Sequence, residues 1–226
     1  VCSSDLLAVQ GCAGKSPAMT FRMTFGSLAS AAVSAALVVS APAQADDAAD
    51  LASAVTALRA ITTMRADFVQ ADTNGQRVKG VLTLKRPGKI RFQYEKGVPM
   101  LVVSDGSALT FVDYEVRQVQ RWPIRNSPLG ALLDPSRDVG KYGRVMPTGS
   151  DRIVSIEVRD KARPEYGVIT LVFTRKGDAP GGMELSSWAA LDSQNTLTRV
   201  NLANHQYGIA VADNAFRFND PRPAGR

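Results

Sequence analysis

Apolar residues recur along this chain first at helical spacing and then in alternation. Leu51, Val55, Leu58 and Ile61 lie three or four residues apart, which predicts an α-helix with one apolar face. From residue 66 onward the period is two, and the first extended run ends at the Asn-Gly pair of residues 74–75. Because Asn-Gly is the dipeptide most typical of a tight hairpin, the chain is expected to reverse there into a second strand.

The same alternation returns many times, with turns rich in Gly, Pro and Asp between the runs. Ile90, Phe92 and Tyr94, for example, alternate with Arg91 and Gln93, as in a half-buried strand. Since no helix alternates with these strands, the pattern predicts a curled antiparallel sheet with helices packed on one side. The predicted strands cover residues 66–72, 78–85, 90–94, 100–103, 109–113, 116–121, 153–158, 168–174, 183–191 and 197–202.

One central segment breaks the strand pattern. Residues 127–134 read Ser-Pro-Leu-Gly-Ala-Leu-Leu-Asp, and proline after a serine cap favours the first turn of a helix. Leu129, Leu132 and Leu133 would lie on one face of this short helix.

The first 45 residues predict export. The chain starts with Val1, so residues 1–18 are interpreted as an upstream extension before Met19. Residues 19–45 combine a basic start, an apolar run and Ala43-Gln44-Ala45, which are the three parts of a secretory signal. A membrane anchor is the rival interpretation, but the run is shorter than the ~20 apolar residues of a span. We therefore expect cleavage after Ala45 and one domain over residues 46–226.

Composition and motifs narrow the chemistry. Both cysteines, Cys2 and Cys12, precede the predicted cleavage point, so the mature domain would have no disulfide. The net charge of +6 suits nucleic acid or anionic membranes, although export argues against nucleic acid. His205 is the only histidine, and a lone histidine is usually a surface or hydrogen-bonded residue. No metal, cofactor or catalytic residue is predicted.

Residues 66–133 resemble the LolA-type periplasmic lipoprotein carriers. The resemblance lies in Ala-Asp-Phe-Val-Gln at 66–70, in the stretch 80–94 containing Lys-Arg-Pro-Gly-Lys, in Leu-Val-Val-Ser-Asp-Gly at 101–106 and in 127–133. A weaker echo follows at Phe-Arg-Phe-Asn-Asp-Pro, residues 216–221.

The resemblance implies a mainly β fold with α: an incomplete antiparallel β-barrel covered by an N-terminal helix and a short helical lid. It also implies a monomeric, non-enzymatic periplasmic chaperone without a cofactor. Its partners would be acylated lipoproteins, an inner-membrane ATP-driven lipoprotein exporter and an outer-membrane lipoprotein receptor.

The resemblance further assigns roles to particular residues. Arg86, in the Lys-Arg-Pro turn, would hold the lid shut through hydrogen bonds to lid backbone; an ordinary exposed turn arginine is the alternative. An apolar stripe that would otherwise be simple core is expected to line the cargo cavity and lid. Its members are Phe68, Leu82, Leu84, Phe92, Tyr94, Leu101, Val103, Leu109, Phe111, Leu129, Leu132 and Leu133.

Three other functions are compatible with the pattern. A related barrel could sense lipid or misfolded envelope protein, and a filled barrel could serve as a structural envelope protein. A periplasmic hydrolase could use a carboxylate pair, which leaves no fixed spacing in sequence.

Overall fold

The computed structural model describes residues 43–124, 130–133 and 139–223 of the chain. Its α-helices in the described ranges are α1 (Ala43–Ala60), α2 (Gly130–Leu133) and α3 (Val139–Tyr142). Its strands are β1 (Thr63–Ala71), β2 (Arg77–Lys85), β3 (Lys89–Tyr94), β4 (Met100–Asp105), β5 (Ala108–Asp113), β6 (Gln118–Pro123), β7 (Gly143–Met146), β8 (Ile153–Val158), β9 (Val168–Arg175), β10 (Met183–Leu191) and β11 (Leu197–Tyr207). Among the described residues, no helix has the length and apolar character needed to cross a membrane.

All eleven strands form a single antiparallel sheet. The order is β6-β5-β4-β3-β2-β1-β11-β10-β9-β8-β7, so two meanders are joined where the first strand pairs with the last. Met64 lies opposite Tyr207 in that central pair. Strands β6 and β7 are the two edges of the sheet, and α2 and α3 lie between them in the chain. The predicted incomplete antiparallel barrel with an N-terminal and a central helix is confirmed.

Helix α1 packs its predicted apolar face against the sheet. Val55 and Leu58 are buried, Leu51 is partly buried against the same core, and Ile61 is buried directly after the helix ends. Each fully buried side chain of this size contributes about 1.5–3 kcal/mol relative to exposure. The burial of this face holds α1 on the sheet.

The two faces of the sheet carry different cores. Side chains alternate between faces along a strand, so each strand feeds both. The inner cluster lies on the face covered by α1 and α2 and includes Leu58, Phe68, Leu82, Leu84, Ile90, Phe92, Tyr94, Leu109, Leu132, Leu133 and Trp188. The outer cluster lies on the opposite face and consists of Leu101, Val103, Val112 and Phe216, with Val119, Val211 and Phe218 beside them.

Several elements differ from the sequence-based expectation. Strand β11 continues to Tyr207 rather than ending at residue 202, through a polar stretch in which Asn204 has a φ of 54°. The pairing with β1 shifts register between Arg65 and Asp67, as at a β-bulge. Strand β7 and helix α3 were not predicted. Of the predicted helix 127–134, residues 130–133 are helical, and the remainder lies outside the described residues.

Candidate functional site

An aromatic group forms the centre of the inner cluster. The ring of Phe68 lies 5.4 Å from Phe92 and 5.3 Å from Tyr94, and Phe92 lies 6.0 Å from Trp188, all edge-to-face. Strands β1, β3 and β10 supply these residues, because each strand turns the apolar half of its alternation inward. Edge-to-face pairs add about 0.5–1.5 kcal/mol beyond the burial of their surface. The interior offers a continuous apolar and aromatic surface.

Gly80 makes room for this group. It pairs with both Phe68 and Tyr94, on either side of β2. A Cβ at Gly80 would lie 2.7 Å from the Phe68 ring and 2.2 Å from the carbonyl oxygen of Gln93. The absence of a side chain therefore allows the Phe68 ring to lie over β2. The sequence analysis did not single out Gly80. Its position opposite Phe68 becomes visible only once the pairing of β1 with β2 is known.

Tyr94 combines an apolar ring with one internal hydrogen bond. Its hydroxyl donates to Oε1 of Gln70 at 2.8 Å. Burial raises the pKa of Tyr94 to about 12. The hydroxyl is satisfied within the fold, so the ring is held in place on the inner face.

The structure brings most of the predicted wall residues together. Phe68, Leu82, Leu84, Phe92, Tyr94 and Leu109 lie in the inner cluster with Leu132 and Leu133 of α2. Phe111 is half-buried and lies opposite Val102, which packs against the same cluster. Leu129 lies outside the described residues.

Leu101 and Val103 are on the other face of the sheet. They belong to the outer cluster around Phe216, so the structure does not bring them together with the remaining wall residues. On β4 the inward positions are instead Met100 and Val102, which pack against the inner cluster. The sequence of β4 leaves the inward positions open, because Leu101, Val102 and Val103 are all apolar and hide the period.

Arg86 connects two helical segments above the inner cluster. Its Nε donates to the carbonyl oxygens of Leu58 and Ile61, both at 3.0 Å. On α2, its Nη1 donates to the carbonyl of Leu133 at 2.8 Å and its Nη2 to that of Leu132 at 3.2 Å. A planar guanidinium suits this task because its donors point in fixed directions. Arg86 therefore ties α2 to the C-terminal end of α1.

The β2–β3 turn, residues 85–89, fixes the backbone from which Arg86 projects. The Arg86 N–H donates to the carbonyl of Thr62 at 2.9 Å. Gly88 has a φ of 69°, and a Cβ there would lie 2.9 Å from the Cα of Gly106. The Ser104 hydroxyl donates to the carbonyl of Gly88 at 2.8 Å. The turn is held tightly against the neighbouring β4–β5 turn.

His205 makes ordinary structural contacts. Its side chain is buried, its Nε2 lies 2.9 Å from the carbonyl of Leu185, and its Nδ1 lies 3.6 Å from Glu184. The ring also stacks on Tyr207 at 5.8 Å.

Comparison with known proteins identifies the family. A model of the family described as outer membrane lipoprotein carrier protein LolA matches residues 59–219. The outer-membrane lipoprotein carrier protein of Chromobacterium violaceum is 41% identical over 205 residues, covering 88% of this chain and 94% of that protein. This chain belongs to the LolA family.

One further relative and one solved structure are similar to this chain. The outer-membrane lipoprotein carrier protein of Methylococcus capsulatus is 30% identical over 168 residues, covering 70% of this chain and 78% of the relative. The crystal structure of a LolA superfamily protein from Nitrosomonas europaea overlaps 75% of this chain and 96% of its own, with a TM-score of 0.44 and 10% identity. Membership of the LolA family makes this chain a lipoprotein carrier.

Proposed function

We propose that this LolA-family chain works in the periplasm, where it binds the acyl chains of lipoproteins released from the inner membrane. It receives them from an inner-membrane ATP-driven exporter and delivers them to an outer-membrane receptor. The observation that supports this most strongly is Arg86, which joins α1 to α2, the two helices whose side chains pack on the apolar inner face of the sheet. Acyl chains would occupy that face when α2 moves away.

The energetics of acyl chains require such a cover. Each methylene gains about 0.8 kcal/mol on leaving water, so chains of many methylenes do not cross an aqueous space unshielded. The inner cluster supplies apolar and aromatic surface of matching chemistry, and α2 covers it with Leu132 and Leu133. The proposal includes a hollow beneath α2 that the acyl chains fill.

The latch formed by Arg86 gives the carrier two states. In the closed state its guanidinium binds the carbonyls of Leu58 in α1, of Ile61 just after α1, and of Leu132 and Leu133 in α2. These bonds form only when α2 lies against α1, so they stabilise the closed, empty state and compete with cargo. A carrier needs this balance, because cargo that is held too firmly is never released.

The direct test is lipoprotein release. Liposomes that contain the exporter and a radiolabelled lipoprotein are incubated with ATP, with or without this protein, and the soluble lipoprotein is measured. Release that depends on the protein, followed by transfer to receptor-bearing liposomes, is expected. Equal amounts of soluble lipoprotein with and without the protein would contradict the proposal.

Arg86→Leu tests the latch within that assay. Loss of the four hydrogen bonds destabilises the closed state by about 1.4 kcal/mol or more, so transfer of bound lipoprotein to the receptor should slow about tenfold. Arg121→Leu is the matched control, because Arg121 is an exposed arginine of β6 whose guanidinium pairs with Asp105 of β4 at 2.6 Å. Equal transfer rates for the two variants would remove the latch role.

A further inference from the structure

The turn that carries Arg86 is also held from the opposite face of the sheet. Lys85 and Lys89 flank it, and both ammonium groups lie 2.9 Å from the same Oδ1 of Asp213. Lys85 also donates to the carbonyl of Val211 at 2.8 Å. One short turn therefore contacts the lid on its inner side and the C-terminal segment on its outer side.

The C-terminal strap, residues 208–223, runs over the outer face of the sheet. Thr63 donates from its hydroxyl to the carbonyl of Ile209 at 2.8 Å. Arg91 donates from Nη1 to the carbonyls of Ala215 at 3.1 Å and Arg217 at 2.9 Å. Phe216 is buried in the outer cluster between these contacts. The strap is thus anchored on both sides of Asp213, which keeps this carboxylate beside the turn.

Asp213 neutralises two like charges at the ends of the turn. Its side chain is 70% exposed, while those of Lys85 and Lys89 are 29% and 28% exposed. Hydrogen bonds from Lys89 and then Lys85 lower the pKa of Asp213 to about 2. Without this carboxylate, the two neighbouring ammonium groups would repel each other and move apart. Their separation would move the backbone on either side of Arg86.

We infer that Asp213, Lys85 and Lys89 are positioning residues for Arg86, and that the C-terminal strap thereby sets how firmly α2 is held closed. The inference rests on the latch role proposed above for Arg86. The carbonyls that Arg86 binds lie at the C-terminal end of α1 and on α2. Hydrogen bonds weaken steeply once distance and angle leave their narrow range. A small shift of the turn therefore costs several bonds together.

A thiol placed on α2 reports the opening of the lid. Leu132 is fully buried, and Arg86 binds its backbone carbonyl, so Leu132→Cys keeps the latch partner. Cys2 and Cys12 are the only cysteines in the sequence and precede the predicted cleavage point, so a protein that begins at Asp46 carries the introduced thiol alone. The rate at which a maleimide labels the introduced thiol measures how often α2 opens, without any cargo.

Asp213→Asn should accelerate labelling about two- to fivefold, the range expected when an exposed ion pair is lost. Asp220→Asn is the matched control. Asp220 also lies on the strap and its pKa is also about 2, but its partner is Arg222 within the strap itself. Lys89→Gln breaks the clamp from the other side and should accelerate labelling as Asp213→Asn does.

A double-substitution cycle decides whether the effect passes through Arg86. In an Arg86→Leu background, Asp213→Asn should change the labelling rate by less than about 1.5-fold. If Asp213 acts on α2 through Arg86, its substitution has little further effect once Arg86 is absent, which is the non-additivity expected of coupled sites. The inference is overturned by equal effects of Asp213→Asn and Asp220→Asn, or by the same acceleration with and without Arg86. Because this readout uses no lipoprotein, failure of the release assay and failure of this coupling are separate results.

Discussion

At the scale of single residues, Arg86 owes its contacts to the shape of its side chain. A guanidinium presents five N–H donors in one plane, whereas an ammonium is a compact charge with three donors. Of the carbonyls around Arg86, that of Leu58 lies on α1 and that of Ile61 just beyond it. The other two belong to α2. Only a planar, branched donor can serve both groups at once.

Arg86→Lys is therefore expected to fail as a conservative replacement. The charge remains, but one ammonium cannot bridge two sets of carbonyls, so labelling of the Leu132→Cys thiol should become at least about threefold faster. The labelling assay described above measures this. A rate equal to that of the parent would mean that charge alone holds α2.

Gly80→Ala tests the close approach of Phe68 to β2. The added methyl would meet the Phe68 ring and a backbone carbonyl that has little freedom to move, so the free energy of unfolding should fall by about 1–3 kcal/mol. Chemical denaturation measures the change. Gly177→Ala is the control, since a Cβ there meets nothing within 4 Å, and equal losses for both variants would contradict the packing argument.

At the scale of elements, alternation predicted strands well where polar and apolar residues strictly alternate or where turns bound them. Strands β8 and β10 begin and end where the sequence placed them. The end of β11 was missed because residues 203–206 are mostly polar and carry no apolar period. That stretch belongs to the strand because it pairs with β1 around a bulge. The spacing of apolar residues in the sequence does not indicate which strand a segment pairs with.

For the candidate site, the sequence predicted which face of the sheet a residue occupies only where polar and apolar residues strictly alternate. Residues from strictly alternating strands, such as Phe92 and Tyr94, fell on the expected face. Leu101 and Val103 did not, because a run of three apolar residues leaves the facing open. The contact between Asp213 and the β2–β3 turn joins residues more than a hundred positions apart, so no local pattern could have indicated it.

The strap contact makes a prediction about pH. The folded pKa of Asp213 is about 2, below its ordinary 3.8, so its contribution to strap attachment is present above about pH 4. That contribution is lost as pH falls through about 2. An NMR titration of the Asp213 carboxyl carbon should give a midpoint near 2, which Lys89→Gln should raise toward 3.8. A midpoint near 3.8 in the unaltered protein would mean that the lysines do not bind it in solution.

At the scale of the whole molecule, the proposed periplasmic role rests on the predicted export of the chain. The sequence predicts cleavage after Ala45, which would leave Asp46 as the first residue of the mature protein. Intact-mass measurement of protein from a periplasmic fraction should give the mass of residues 46–226, and sedimentation should show a monomer. A periplasmic product that retains residues 19–45 would contradict the predicted signal.

The sheet also provides an internal comparison for the carrier role, because its two faces bear separate apolar clusters. Only the inner cluster lies beneath the helix held by Arg86. The outer cluster is covered by Phe216 of the strap. If acyl chains are sheltered when α2 opens, they should contact the first cluster and not the second.

Photocrosslinking of bound lipoprotein tests this most directly. A lipoprotein whose acyl chains carry a diazirine is loaded by the exporter, irradiated on the carrier, and the adducts are located by mass spectrometry. Adducts are expected on inner-cluster residues such as Phe68, Phe92 and Trp188. Adducts confined to Leu101, Val103 and Phe216, or none on a loaded carrier, would contradict it.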